Sequence, residues 1–125
     1  MLVIGGTNKI QIYDTKGATP KQTYIIDAPG SVYKMFPMPR KHKIICGCTL
    51  GYIALLDPFT GVLTNKLQLG EAGHIYDIAS DSLGGDYSYL LACEKGLFVL
   101  QINKKTFEIS FGKEGTLFDK SIRVI

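Results

Sequence analysis

Ile45-Cys46-Gly47-Cys48, then Ile53-Ala54-Leu55-Leu56-Asp57, is the stretch that decides the fold. An apolar run meets small residues, turns, and resumes as a second apolar run closing on an aspartate. The same figure stands 43 positions earlier, as Leu2-Val3-Ile4-Gly5 and Ile10-Gln11-Ile12-Tyr13-Asp14. It stands again 45 positions later, without the closing aspartate, as Leu90-Leu91-Ala92-Cys93 and Phe98-Val99-Leu100-Gln101-Ile102. A second figure repeats in its own register. Ser31-Val32-Tyr33-Lys34-Met35 aligns with His74-Ile75-Tyr76-Asp77-Ile78 at a spacing of 43, and with Ser121-Ile122-Arg123-Val124-Ile125 another 47 positions on. Each carries an apolar residue after a polar lead, and a second one three places further.

A period of about 40–45 residues built from short strands is the pattern of propeller blades. The expectation is an all-β chain: a partial β-propeller of about three four-stranded antiparallel blades. It forms a single segment, with blade-like units 1–42, 43–88 and 89–125. Strands are expected at 1–7, 9–14, 20–27 and 31–36, at 43–49, 52–57, 62–69 and 74–79, and at 89–94, 97–102, 106–111 and 117–125. Turn residues separate them, among them Asn8, Lys16-Gly17, Gly51, Thr60-Gly61 and Lys95-Gly96. No segment shows a helical period. The first two strands of each unit are almost continuously apolar, as strands covered on both faces should be. The third is more polar, as suits an outer edge guarded by lysine. Gly5, Cys48 and Cys93 share one repeat position, where a small side chain would let neighbouring sheets approach.

The 125 residues suffice for one domain, and 46% apolar residues is ordinary for a globular one. Net charge is +3, too little to indicate a nucleic-acid partner. No apolar run approaches the roughly 20 residues needed to cross a bilayer, and no secretory leader is visible. No membrane partner is expected, and the expected location is cytoplasmic. The three cysteines are odd in number and fall inside strands, which argues against a disulfide framework.

The candidates for chemistry are few. Cys46 and Cys48 alternate along a strand, which is not the spacing of a structural zinc pair. His42 lies in the loop Pro37-Met38-Pro39-Arg40-Lys41-His42-Lys43 and His74 at a strand entrance, without a converging nucleophile and acid. His74 reads as a structural residue bonding a nearby turn. Asp14 and Asp57 recur with the repeat and read as turn formers bonding their own backbone. Gly5-Gly6-Thr7-Asn8-Lys9 lacks the spacing and helix of a phosphate loop. Neither an enzyme nor a cofactor is expected.

The pattern resembles the WD-repeat family of propellers. Tyr13-Asp14 and Leu56-Asp57 stand where that family closes its strand with Trp-Asp, and Gly73-His74 matches its Gly-His lead-in. Both tryptophans are absent, so the family's buried His–Asp–Trp network carries over only at His74. The stretch Gly51-Tyr52-Ile53-Ala54-Leu55-Leu56-Asp57-Pro58-Phe59-Thr60-Gly61 is also similar to quinoprotein (pyrroloquinoline-quinone-type) propeller repeats, though their docking tryptophan is missing. The first resemblance implies a non-catalytic scaffold for other proteins. The second implies the scaffold portion of a quinoprotein-like enzyme or sensor. A third reading is a purely structural segment of a larger propeller.

The partner contacts expected on such a scaffold lie in loops 37–42 and 80–87, with Arg40, Lys41 and Tyr87 as the residues named. Arginine and tyrosine carry much of the energy of protein interfaces. Three units are too few to close a ring, which takes about four or more. The missing blades would come from the remainder of a longer propeller, or from a ring-closing homodimer. In the homodimer, the last strand of each copy completes the first sheet of the other.

Overall fold

In the computed structural model, residues 1–38, 42–81 and 87–118 are described, the last eight as backbone only. The chain is all-β and runs as three antiparallel meanders. The first sheet holds β1 (Leu2–Gly5), β2 (Lys9–Asp14) and β3 (Lys21–Asp27), in that order. The second holds β4 (Val32–Pro37), β5 (Ile44–Cys48), β6 (Tyr52–Asp57) and β7 (Val62–Gln68). The third holds β8 (Ile75–Ser80), β9 (Ser88–Cys93), β10 (Gly96–Ile102) and β11 (Ile109–Phe118). Short 3-10 turns at Thr49–Gly51 and Gly70–Ala72 join strands. Among the described residues, no helix is long and apolar enough to cross a membrane.

The hydrogen-bonded sheets are offset from the sequence repeats by one strand. The fourth strand of the first unit, β4, pairs with β5 and not with β3. Likewise β8 pairs with β9. The second and third sheets therefore each open with a leading strand that the first sheet lacks. β1 is consequently an edge, paired only with β2 among the described residues.

Side chains along a strand alternate between faces, and β5 and β6 show the result. Ile45, Ile53 and Leu55 join one core, together with Ile75, Ile78, Tyr89, Leu91 and Phe98 of the third sheet. Ile44, Cys46 and Leu56 join another, with Val3, Ile10, Ile12 and Ile26 of the first. The second sheet is thus the middle layer of a stack. Its inner strands are continuously apolar because both of their faces are covered. Burial falls off toward the last strand: β3 and β7 are largely exposed. Successive sheets touch most extensively along their leading side, where β4 lies against β8 and β1 against β4.

Two glycines make that approach possible. A Cβ on Gly5 would lie 2.8 Å from Val32 Cγ1, and one on Gly47 would lie 2.7 Å from Ile75 Cγ2. Met35 and Ile78 close over the same two positions. Each leading strand therefore seats its two apolar residues, three apart, on a bare backbone of the sheet before it. The pairing registers make Gly47, not Cys48, the equivalent of Gly5. Gly5 faces Ile10 and Gly47 faces Ile53 across their hairpins, and the second hairpin is one residue longer. Ala92, opposite Leu97, takes the third place. Cys48 and Cys93 each stand one residue further along.

One strand differs in extent from expectation. The segments at 106–111 and 117–125 were expected as separate strands, but β11 runs unbroken from Ile109 to Phe118. It pairs with β10 through register shifts that absorb the extra residues between Phe111 and Thr116 as bulges. Residues 119–125, including the third copy of the leading-strand pattern, lie outside the described residues.

A candidate protein-interaction face

A meander sends alternate connections to opposite ends, and contacts between sheets align those ends across the stack. One end gathers the β2–β3, β4–β5, β6–β7, β8–β9 and β10–β11 connections. His42 lies edge-on to Phe59, with ring centroids 5.5 Å apart. The Lys43 ammonium sits 5.5 Å from the Phe107 ring centre. The Asn65 amide donates to the Phe107 carbonyl at 2.7 Å, tying the outer strand of the second sheet to the third.

Aspartates shape these turns. Asp14 Oδ1 accepts from the Lys16 N–H at 2.9 Å. Asp57 Oδ1 accepts from Phe59 and Thr60, at 3.0 and 3.3 Å. Burial works to raise the Asp57 carboxyl pKa. The two N–H bonds and Lys43, 3.7 Å away, outweigh it and hold the pKa below its ordinary value. In the third sheet Asn103 takes this role, its Oδ1 accepting from Lys105 and Thr106. The sequence reading missed Asn103, although the spacing offered a signal. Asn103-Lys104-Lys105-Thr106 repeats Asp57-Pro58-Phe59-Thr60 with an amide in place of the carboxylate.

The aspartate-built turns border a cleft of about 600 Å³ between the first sheet and the β6–β7 turn. Ile12, Tyr13, Tyr24, Pro58 and Phe59 give it an apolar wall, with Asp14 and Lys16 at its polar side. Tyr24 lies flat over Gly61, where any Cβ would strike its ring at 2.5 Å, and its hydroxyl reaches the Phe59 carbonyl at 3.4 Å. Composition alone did not single out this cleft, because its walls come from two different repeats.

Of the expected partner contacts, Arg40 and Lys41 lie outside the described residues. Tyr87 is half-buried against the core between the second and third sheets, and its carbonyl accepts from the Ile102 N–H at 2.9 Å. It lines a concavity of about 300 Å³ with Ser88, Gln101 and Asn103, at the same end as the cleft. Ser88 is buried and donates to Asp81 at 3.1 Å.

His74 stands at the opposite end. Its Nδ1 accepts from the Leu50 N–H at 3.0 Å, and its own N–H donates to Glu94 at 3.3 Å. It thereby ties a turn of the second sheet to the head of the third. Tyr33 and Tyr76 stack beside it, 5.6 Å apart. The three cysteines are free and fully buried. Burial pushes Cys46 up to about 12, Cys48 up to about 11 and Cys93 up to about 12, so all three are neutral thiols. Among the described residues, no three histidines, cysteines or carboxylates gather as a metal site would require.

Compared with models of known protein families and with curated proteins, the chain matches none.

Proposed function

We propose that the three sheets are blades of a WD-repeat-like β-propeller, and that the chain is a non-catalytic scaffold holding other proteins at its turn-rich end. One observation carries the reading. At both junctions a leading strand seats two apolar residues on a small residue of the preceding sheet, Val32 and Met35 on Gly5, Ile75 and Ile78 on Gly47. A junction repeated in kind, tightest along the leading strands, is what radial stacking of blades requires. The stack gives the turns fixed positions, so a partner bound there costs little ordering of the scaffold. The apolar cleft and the Tyr87 concavity would take anchor side chains, and Arg40 and Lys41 would contact acidic groups of the partner. The buried free thiols suit a reducing compartment such as the cytoplasm.

A pull-down with three versions of the chain tests this reading. Arg40→Glu with Lys41→Glu alters the turn-rich end, and Lys95→Glu alters the other end as a control. Proteins retained by the unaltered chain should fall about tenfold with the double variant, a loss of about 1.4 kcal/mol, and persist with Lys95→Glu. Equal retention by all three would remove the assignment of that end.

A further inference from the structure

We infer that the cleft between the first sheet and the β6–β7 turn takes a lysine side chain of a partner protein, its ammonium held between the Asp14 carboxylate and aromatic rings. The inference rests on the scaffold reading and names the group that one of its surfaces recognises.

The junction of the second and third sheets shows this arrangement made within the chain. There the Lys43 ammonium lies 3.7 Å from Asp57 Oδ2 and 5.5 Å from the centre of the Phe107 ring. Lys43 stands just before β5, Asp57 closes β6, and Phe107 belongs to the β10–β11 connection. A carboxylate at the end of one sheet and a ring from the turn of the next thus hold an ammonium between them.

The junction of the first and second sheets repeats the acid and the ring. Asp14 closes β2 as Asp57 closes β6, since Tyr13 pairs with Leu2 as Leu56 pairs with Ile44. Each aspartate fixes its carboxylate by accepting the N–H two residues on. Gly61 and Phe107 also share one place. Their N–H groups donate to the carbonyls of Asp57 and Asn103, four residues back, and their φ angles are 72° and 61°. Where the third sheet's turn carries its own phenyl ring, the second sheet's turn carries Gly61 with the Tyr24 ring laid over it. Tyr13 and Phe59 bring two further rings to the same cleft. Among the described residues, however, no ion pair reaches Asp14.

The remaining walls suit the rest of a lysine. Ile12 and Pro58 offer apolar cover for its four-carbon stem, and about 600 Å³ is room enough for the side chain. The Thr23 and Tyr24 hydroxyls donate to the Ile12 and Phe59 carbonyls, at 3.1 and 3.4 Å. Their protons are directed at the backbone, which leaves oxygen lone pairs for the N–H groups of an ammonium. Lys16 borders the cleft too, but its exposed ammonium rides on a flexible stem that can turn to water. The Asp14 carboxylate is pinned by the Lys16 N–H and stays.

A titration of the full chain, followed by the ring-proton magnetic resonance signals of Tyr13, Tyr24 and Phe59, tests the site. The probes are two glycine pentapeptides, blocked at both ends, with lysine or norleucine at the centre. Norleucine keeps the stem and lacks the ammonium. The lysine peptide should shift the three rings saturably and bind about fivefold more tightly than the norleucine peptide. Asp14→Asn removes the charge and keeps the turn, because Asn103 builds the same turn by accepting from Lys105 and Thr106. In that variant the two peptides should bind equally. Norleucine binding as tight as lysine overturns the inference, and so does a preference for lysine undiminished in Asp14→Asn. A lysine peptide that moves none of the three rings overturns it as well. Each of these results leaves the scaffold reading standing if the Arg40 and Lys41 variant still loses its partners. Lysine selectivity at Asp14 in a chain whose Arg40 and Lys41 variant retains everything does the reverse.

Discussion

A single methyl group at Gly47 would press on Ile75 at 2.7 Å, with Ile78 only 3.3 Å away. The Ile75 atoms are the Cβ and its branching methyl, held close to the β8 backbone and not the loose end of a flexible chain. Gly47→Ala should therefore cost about 1–3 kcal/mol, read as a lowered urea midpoint. Gly6 has only the Lys9 carbonyl within reach, at 3.9 Å, and Gly6→Ala should stay within about 0.5 kcal/mol. The thiols give a second test at this scale. Their folded pKa values are raised above the ordinary 9.0, so the unfolded chain releases its protons first as pH rises. Stability should then be full below about pH 9 and fall above it, by about 1.4 kcal/mol per pH unit for each thiol. Cys93→Ala should flatten that fall by one thiol's share in denaturation measured from pH 8 to 11. Asp57 has the opposite sign. Its lowered pKa makes its contribution full above about pH 4, lost as pH falls through the folded value. Asp57→Ala should cost about 1 kcal/mol at neutral pH by urea denaturation and much less near pH 2.

Strands are held to one another across sheets by a few polar links whose partners are far apart in sequence. His74 on the Leu50 amide, Lys34 with Asp77 at 3.2 Å, and Asn65 on the Phe107 carbonyl each join neighbouring sheets. Replacing His74 with Ala should leave global stability within about 0.5–1.5 kcal/mol of the original. It should speed hydrogen exchange at the Leu50 amide about tenfold, while amides within β6 keep their protection. Elements of this kind set the limit of what the sequence shows. Strand positions through β10 were legible because apolar runs, glycine turns and closing aspartates mark them locally. The sheet membership of β4 and β8 was not written locally, because a strand's pattern does not say which neighbour it bonds. The one-residue difference between the first two hairpins hid the match of Gly5 with Gly47, since a fixed period points to Cys48 instead. Bulges concealed the continuity of β11, whose Gly112-Lys113-Glu114-Gly115 reads as a turn. The cleft at Tyr24 and Phe59 went unseen because it exists only once two sheets are packed.

At the scale of the molecule, one junction used twice explains the stack. Each interface buries alternate residues of a middle sheet, and each is tightest where a leading strand crosses a small residue. Truncating a residue shared by the larger core, such as Leu55→Ala, should cost about 2–5 kcal/mol. The loss should appear in a single cooperative transition by both far-UV circular dichroism and tyrosine fluorescence, because the same side chains join sheets two and three. The polar ends then differ in construction: turns built on Asp14, Asp57 and Asn103 at one, and the His74 tie at the other. The most direct test of the account is a nuclear Overhauser measurement on methyl-labelled chain. It predicts cross-peaks from Val32 methyls to the Gly5 α-protons and from Ile75 methyls to the Gly47 α-protons. Absence of both, or backbone contacts pairing Val32–Pro37 with Lys21–Asp27 in place of Ile44–Cys48, would contradict it.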